Sequence, residues 1–473
     1  MPTLDIASRL THDIPVTARS DMRVPARVYA DDELWGQIAH DRSLEQLMNV
    51  ATLPGITGFA YGMPDIHEGY GFPVGGVAAV RASDGIISPG GVGYDINCGV
   101  RLLVSDLATA DVRPRLNELV HELSRSIPSG TGRGGTTSLS EADMDRVLAE
   151  GCRYLVERGM ADLDDLDATE AHGSLTRADP TAVSARAKAR GRDQLGTLGS
   201  GNHFLEVEVV DQIVDEDLAR AYGLARGRVV VLIHCGSRGL GHQVCTDYVR
   251  LMDQAMPKYD IHLPDRELAC APFASPEGQR YFGAMCAAAN FAWANRQAIT
   301  HRVRDVFRRF HGDAGRLRLL YDVAHNMAKL EEHGGELLCV HRKGATRAFG
   351  PSHPETPARY RAAGQPVFIP GSMGTASYVL AGTDEAAALS VGSACHGAGR
   401  AMSRHAAKRV KGGREVRDEL EAQGIAVACP SSGELAEEAP YAYKDVERVV
   451  DVVHRVGLAR KVARLRPLGV VKG

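Results

Sequence analysis

The chain has 473 residues, 44% hydrophobic and 24% charged, with a formal net charge of −4. A length prior allows about three domains, and the charge excludes a protein that is basic overall, so any nucleic-acid surface must be local. Nine cysteines, an odd number with no C-x-x-C pair, exclude a disulfide framework. No apolar leader or run of roughly 18 apolar residues is present, so the expected setting is the cytoplasm and no membrane.

In chain order, short strands lead to a helix over about Leu44–Val50, closed by Pro54-Gly55. Glycine-rich loops and short apolar strands run from Gly62 to Val104 and include GMPDIHEGYGFPVGG. Helices are expected at Leu116–Ile127 and Glu141–Glu157, the second opened by a capping box of Ser140 with Asp143. Between them Gly130-x-Gly132-x-x-Gly135 follows a helix where a dinucleotide fold needs a strand, so it is not read as a Rossmann loop. Residues 161–190 are polar and read as a surface excursion. Phe204–Val210 alternates with period two, Arg228–Ile233 is a β-branched run ending at His234, and Leu317–Val323 ends just before His325. Ser275-Pro276 caps a long helix to about Phe310. Helices mixed with strands, without a regular βαβ rhythm, give an α+β fold. Site residues spread along the chain favour one domain over 1–473.

The most informative local pattern is Asp95-x-x-Cys98 inside GVGYDINCGV. A carboxylate and a thiolate in a glycine frame can turn toward one ion, although a buried Cys is often only a small hydrophobe. His203, His234 and His325 each stand at a strand end beside a small or amide residue. Five ligands are too many for one tetrahedral structural zinc. Two metals sharing Cys98, with Asp95 and His203 on one and His234 and His325 on the other, would use all five and leave positions for substrate oxygens. The spacing alone leaves that partition open.

Several segments carry the makings of an anion site. HCGSRGLGH sets Arg238 among glycines before a helix. HRKGAT and PGSMGTASY (Pro370–Tyr378) offer cations, hydroxyls and backbone donors, for a nucleotide pocket or for simple turns. In CHGAGR, His396 is expected immediately before a helix at 401–411, whose N-terminal field would favour a neutral, nucleophilic imidazole, with Arg400 as a phosphate clamp. Arg400, Arg404, Lys408 and Lys411 are expected on one helical face, as a solvated stripe or an RNA backbone track. A dinuclear phosphoesterase and a catalytically silent RNA-binding protein remain as rival readings. The first leaves His396 and Lys472 without work, and the second lacks any missing ligand to support it.

GVGYDINCGVRL, GTLGSGNHFLEV, HCGSRGLGH, DVAHNMAK, HRKGATRA, PGSMGTASY and HGAGR, in this order, resemble the RtcB family of GTP-dependent RNA-splicing ligases. The resemblance implies joining of RNA 3′-phosphate or 2′,3′-cyclic phosphate ends to 5′-hydroxyl ends, in tRNA splicing or RNA repair, with GTP as co-substrate and two Mn²⁺ ions. It implies that His396 carries GMP, with Arg238 and Arg400 in catalysis, and that Asp95, Cys98, His203, His234 and His325 bind manganese. It places Asn202, Phe204, Glu206, Asn326, Ser372, Ser377, Tyr443 and Lys472 on the guanylate, with Pro370, Gly371, Met373, Gly397, Ala398 and Gly399 around it. RNA and an archease-type activator are the implied partners of a monomer. Cys395 and Tyr94 depart from the family's usual glycine and phenylalanine.

Overall fold

Ser275 accepts a hydrogen bond from Gly278 N, and Pro276 follows at the first helical position, where its missing N–H has no partner to lose. The helix they open, Pro276–His311, runs 36 residues, about 54 Å at 1.5 Å per residue. Its middle is buried all round, from Tyr281 to Thr300, as expected of a helix through a core. The computed structural model describes residues 9–473 except 131, 133, 136 and 137, so the G-x-G-x-x-G stretch lies partly outside the described residues.

Two sheets flank this helix. The six-stranded sheet runs Thr11–Ile14, Ala26–Tyr29, Ile56–His67, Val74–Arg81, Glu336–Lys343 and Asn326–His333, antiparallel except where Ala26–Tyr29 meets Ile56–His67. The second sheet runs Leu317–Ala324, Gly99–Ala108, Arg228–Cys235, Phe204–Ile213, Ala459–Lys472, Ser377–Gly382 and Pro366–Ile369, all antiparallel. Ala426–Ala428 pairs parallel to Ala459–Lys472. Ala284–Ala298 of the helix belongs to the core of the first sheet, whereas Ile299, Val303, Val306 and Phe307 pack on Leu205, Val207, Val231 and Ile233 of the second. This is the expected α+β class.

Three expectations need correction. The helix at 141–157 breaks into Glu141–Glu150 and Arg153–Val156, because Gly151 stands at φ 58°, where a Cβ would meet Gly173 O at 2.2 Å. Phe204–Val210 extends to Ile213 and is buried on both faces through Val210, since it lies between two strands of a covered sheet. Its alternation separates apolar side chains from the buried pair Glu206 and Glu208. Residues 161–190 are no free excursion. Asp165 grips Arg304 through two 2.7 Å bonds, and Glu170 takes Lys329 Nζ at 2.6 Å and Ala324 N at 2.8 Å. Both carboxylates are buried and tie the segment to the strand that leads to His325, while Asp162, Asp164, Asp167, Arg186 and Arg190 stay on the surface as expected.

Candidate active site

The strand ends bring the five expected ligands together. Asp95 Oδ2 lies 2.7 Å from His203 Nε2, and Cys98 Sγ lies 3.4 Å from His203 Nε2 and 3.2 Å from His234 Nε2. His234 Nε2 and His325 Nε2 are 3.3 Å apart. The donor atoms form two groups, Asp95 with Cys98 and His203, and Cys98 with His234 and His325. With metal–N and metal–S bonds of about 2.0–2.3 Å, the edge of a tetrahedron is about 3.4 Å, so the nitrogen and sulfur separations fit coordination of ions. His234 and His325 also turn their Nδ1 atoms into buried surroundings with no partner among the described residues, leaving the paired Nε2 atoms as their converging polar ends. Gly236 permits the approach of Asp95, whose Oδ1 would lie 2.3 Å from any Cβ there. Ser237 then orients that oxygen through its N–H (2.9 Å) and hydroxyl (3.2 Å).

Without an ion this cluster carries protons. Burial and the nearby Asp95 push the Cys98 thiol up to about 12. Burial pulls the His203 imidazole down, but Cys235, Cys98 and Asp95 outweigh it and the net shift is upward. His234 and His325 are held neutral, mainly by burial and then by neighbouring imidazoles. Asp95 resists burial because His203 and Arg238 keep it ionised.

One guanidinium holds the ligand-bearing strands from below. Arg296, fully buried in the long helix, donates to Asp322 (2.8 and 2.8 Å), Asn97 O (2.7 Å), Asn97 Oδ1 (3.0 Å) and Cys235 O (2.9 Å). Asn97 precedes Cys98, Cys235 follows His234, and Asp322 lies three residues before His325. The neighbouring Asn295 ties Cys235 Sγ, Gly236 O and Thr197 O. Sequence patterning offered no sign of this scaffold beyond the polar letters in an otherwise apolar helix.

His396 follows the short strand Ser393–Cys395, which pairs with Ala345–Arg347. Its ring centroid is 4.8 Å from that of His325. Gly344 makes room for it, since a Cβ there would stand 3.1 Å from His396 Cε1. Asp65 Oδ2 lies 2.6 Å from His396 Nδ1 and also accepts from the N–H of His396 (3.2 Å) and of Gly397 (3.3 Å). The carboxylate favours the tautomer protonated on Nδ1 and leaves a lone pair on Nε2. The expected helix field does not reach His396. The helix is Arg404–Val410, capped by Ser403, eight residues further on. Asp65 does the orienting instead, and its only sequence signal is an acid between apolar residues in MPDIH.

A cavity of about 420 Å³ opens over this group. Asp95, Cys98, His234, His325 and His396 line it, with Asn202, Phe204, Asn326, Pro370, Gly371, Ser372, Met373, Gly397, Ala398, Gly399, Arg400, Tyr443 and Lys472. His203 and Arg238 line an adjoining depression of about 510 Å³ that shares Asp95, Tyr94, Asn202 and Arg404. Arg238 Nη1 is 2.7 Å from His203 Nδ1. Glu206 and Ser377 are buried and do not line either space. Glu206 Oε1 finds no partner among the described residues, and burial beside Glu208 raises its pKa well above the carboxylate range. Lys472 enters on the terminal strand opposite Phe204, 2% exposed, with Nζ 5.5 Å from the Phe204 ring. Burial lowers its pKa, while Glu438 and Glu206 oppose the shift.

The family profile described as tRNA-splicing ligase RtcB matches residues 46–473. The chain belongs to the RtcB family. It is 56% identical over 460 residues to the tRNA-splicing ligase RtcB of Thermococcus kodakarensis, covering 96% of this chain and 95% of that one. It is 54% identical over 469 residues to that of Archaeoglobus fulgidus, covering 98% and 97%. The RNA-splicing ligase RtcB of Mycobacterium tuberculosis is 54% identical over 435 residues, covering 90% and 100%.

Within this RtcB fold the expected basic stripe is corrected. Arg400 lies outside the helix, and each of the four cations meets a glutamate. Arg400 (3.3 Å) and Arg404 (2.8 Å) share Glu438, Lys408 meets Glu437, and Lys411 meets Glu419. Glu438 also accepts from Tyr443 OH. These acids come from elsewhere in the chain, so a cation count along one helix could not foresee them.

Proposed function

We propose that the chain joins RNA ends bearing a 3′-phosphate or 2′,3′-cyclic phosphate to 5′-hydroxyl ends, consuming GTP through a GMP adduct on His396. The observation that carries this reading is the Asp65–His396 pair beside His325, which a dinuclear phosphoesterase would not need. His396 Nε2 attacks the α-phosphorus of GTP, an N–P bond forms, and pyrophosphate leaves with the electrons of the broken P–O bond. The Nδ1–H stays hydrogen-bonded to Asp65, which offsets the positive charge on the ring. An RNA 3′-phosphate oxygen then displaces His396 from phosphorus, giving an RNA-ppG end, and restores the Nε2 lone pair. The 5′-hydroxyl oxygen of the second RNA end attacks the 3′-phosphate, loses its proton and expels GMP. A cyclic phosphate is first opened by water.

Asp95, Cys98 and His203 would hold one divalent cation, and Cys98, His234 and His325 a second. Bound there, two Mn²⁺ ions would neutralise phosphate charge as it develops. Arg238 and Arg400 add cationic donors at the two ends of the site. On the base, Glu206, buried behind the cavity lining beside Lys472, would accept from guanine N1–H and its exocyclic amine once ionised and turned toward the cavity, and Lys472 would donate to the ring edge. Ser372, Asn202, Asn326, Phe204 and Tyr443 complete the nucleotide pocket with the 370–373 and 397–399 loops, and Ser377 supports it from behind, its hydroxyl accepting from Gly371 N (3.3 Å).

The same chemistry serves tRNA splicing and RNA repair, in a cytoplasmic monomer assisted by an archease-type protein. No helix of the described residues is long and apolar enough to cross a membrane. Incubation with α-labelled GTP and Mn²⁺, followed by a chase with RNA ends, tests the reading. Label should move from protein to RNA-ppG and then to free GMP, and label that never enters protein would defeat the proposal.

A further inference from the structure

The chemistry proposed above leaves one buried acid unused. Glu206 and Glu208 stand two residues apart on the strand Phe204–Ile213, so the period of two turns both side chains to one face of the sheet. That face is apolar. Glu206 lies between Leu232 and Val470 of the neighbouring strands, and Glu208 between Val230 and Pro467. Phe204 and Val210 flank the two acids on their own strand, within the same hydrophobic cluster. The carboxyl-bearing residues are 1% and 0% exposed. Both oxygens of Glu208 and Oε1 of Glu206 find no partner among the described residues.

Two ionised carboxylates are costly in such a place. From the other packed elements come Lys472 on the terminal strand, drawn also to Glu438, and the Ser377 hydroxyl. Burial pushes Glu206 well above the carboxylate range, with Glu208 adding to the shift, and burial pushes Glu208 up to about 7. One ammonium, shared with Glu438, against two buried acids leaves a proton on the pair at neutral pH. That proton belongs to both carboxyls and not to either residue alone.

Guanine asks for a particular distribution of it. N1–H and the exocyclic amine are both donors, so Glu206 must meet them as an acceptor with no proton of its own. We propose that Glu208 is the proton partner of Glu206, taking up the shared proton when Glu206 turns its charge to the base. The O–H bond on Glu206 breaks, one on Glu208 forms, and no proton passes to solvent. Glu208 is thus a positioning residue. It never meets the nucleotide, and it keeps Glu206 ionised by holding the proton and donating it as a hydrogen bond. This rests on the guanine-binding role of Glu206 in the reading above.

The test measures GMP binding to the Mn²⁺-loaded protein at pH ~7.5, by calorimetry in buffers of different ionisation enthalpy. Wild type should release less than about half a proton from the pair. Glu208→Met keeps a similar volume but cannot hold a proton, so Glu206 must shed its own to solvent. This variant should release close to one proton more than wild type, and its GMP affinity should rise about tenfold per pH unit until Glu206 ionises. Its KM for GTP in adduct formation should be about tenfold higher or more, with kcat at saturating GTP within about twofold. Glu208→Gln can donate an amide N–H to ionised Glu206, so it should release the same proton with a smaller rise in KM. A merely structural role would lower the melting temperature without moving the proton balance. Proton balance and KM equal to wild type in both variants would overturn the proposal. So would tighter GMP binding by Glu208→Met, the result expected of a second anion repelling Glu206. If the methionine variant does not fold, the proton balance of the glutamine variant decides. Glu206→Ala separates this proposal from the reading beneath it, because wild-type GMP affinity in that variant would remove the guanine contact itself.

Discussion

His396 and Asp65 work as one unit, since a single carboxylate oxygen takes the ring nitrogen and two backbone N–H groups. His396→Ala should abolish the GMP adduct while metal content, measured by mass spectrometry of the purified protein, stays at the wild-type level. Asp65→Asn presents an amide that can donate to Nδ1 and so favours the wrong tautomer. Adduct formation should fall about 10²–10⁴-fold in single-turnover labelling, and wild-type rates would remove Asp65 from the mechanism. The metal cluster makes a separate claim on pH. Cys98 sits at about 12 without metal and must lose its proton to bind. His203 is raised above its ordinary value and must also be neutral to ligate. Metal binding should therefore release one to two protons below the His203 pKa and about one above it, so affinity rises with pH. Calorimetry in buffers of different ionisation enthalpy reads this directly, and pH-independent binding with no proton release would contradict the ligand set.

At the scale of elements, the terminal strand and the long helix carry most of the construction. Ala459–Lys472 pairs with Phe204–Ile213, so Lys472 lines the cavity beside His396. Deleting Lys472 and Gly473 removes one charge-assisted donor, worth about 1.5–3 kcal/mol. GTP should bind about ten- to a hundredfold more weakly, with Tm lowered by only a few degrees, and unchanged labelling at limiting GTP would take Lys472 out of the pocket. On the strand Leu317–Ala324, Asp322 holds Arg296 of the long helix and Arg101 of the strand Gly99–Ala108, and Asp322→Asn would leave both buried guanidiniums without their shared carboxylate. Breaking such a pair costs about 3–5 kcal/mol, which urea denaturation should register as a markedly lower midpoint. The capping residues Ser275 and Ser140 and the β-branched runs made these elements legible, because each is a local signal. Arg296, Asp65 and Glu438 were not legible, because each acts through partners 26 to 331 residues away. For the same reason the lysines and arginines at 400–411 looked like a free basic face until the glutamates opposite them were placed.

Across the whole molecule, the candidate metal ligands from Asp95 to His325 and the ring of His396 meet only when both sheets and the helix between them are assembled. The α+β class followed from the mixture of periods, and the ligand types from strand ends with small neighbours. The packing that aligns them depended on contacts between distant segments. Because the folded chain alone can gather these donors, metal should raise stability by about 2.7 kcal/mol at a hundredfold excess over its Kd. Chelation should lower Tm accordingly, and equal midpoints with and without Mn²⁺ would mean that the cluster binds nothing. The central claim is that His396 takes up GMP. Its most direct measurement is peptide mapping after incubation with α-labelled GTP and Mn²⁺, with the adduct kept in alkali and released in acid. The account predicts label on His396 alone, absent from His396→Ala, and label on any other residue, or undiminished label in that variant, would contradict it.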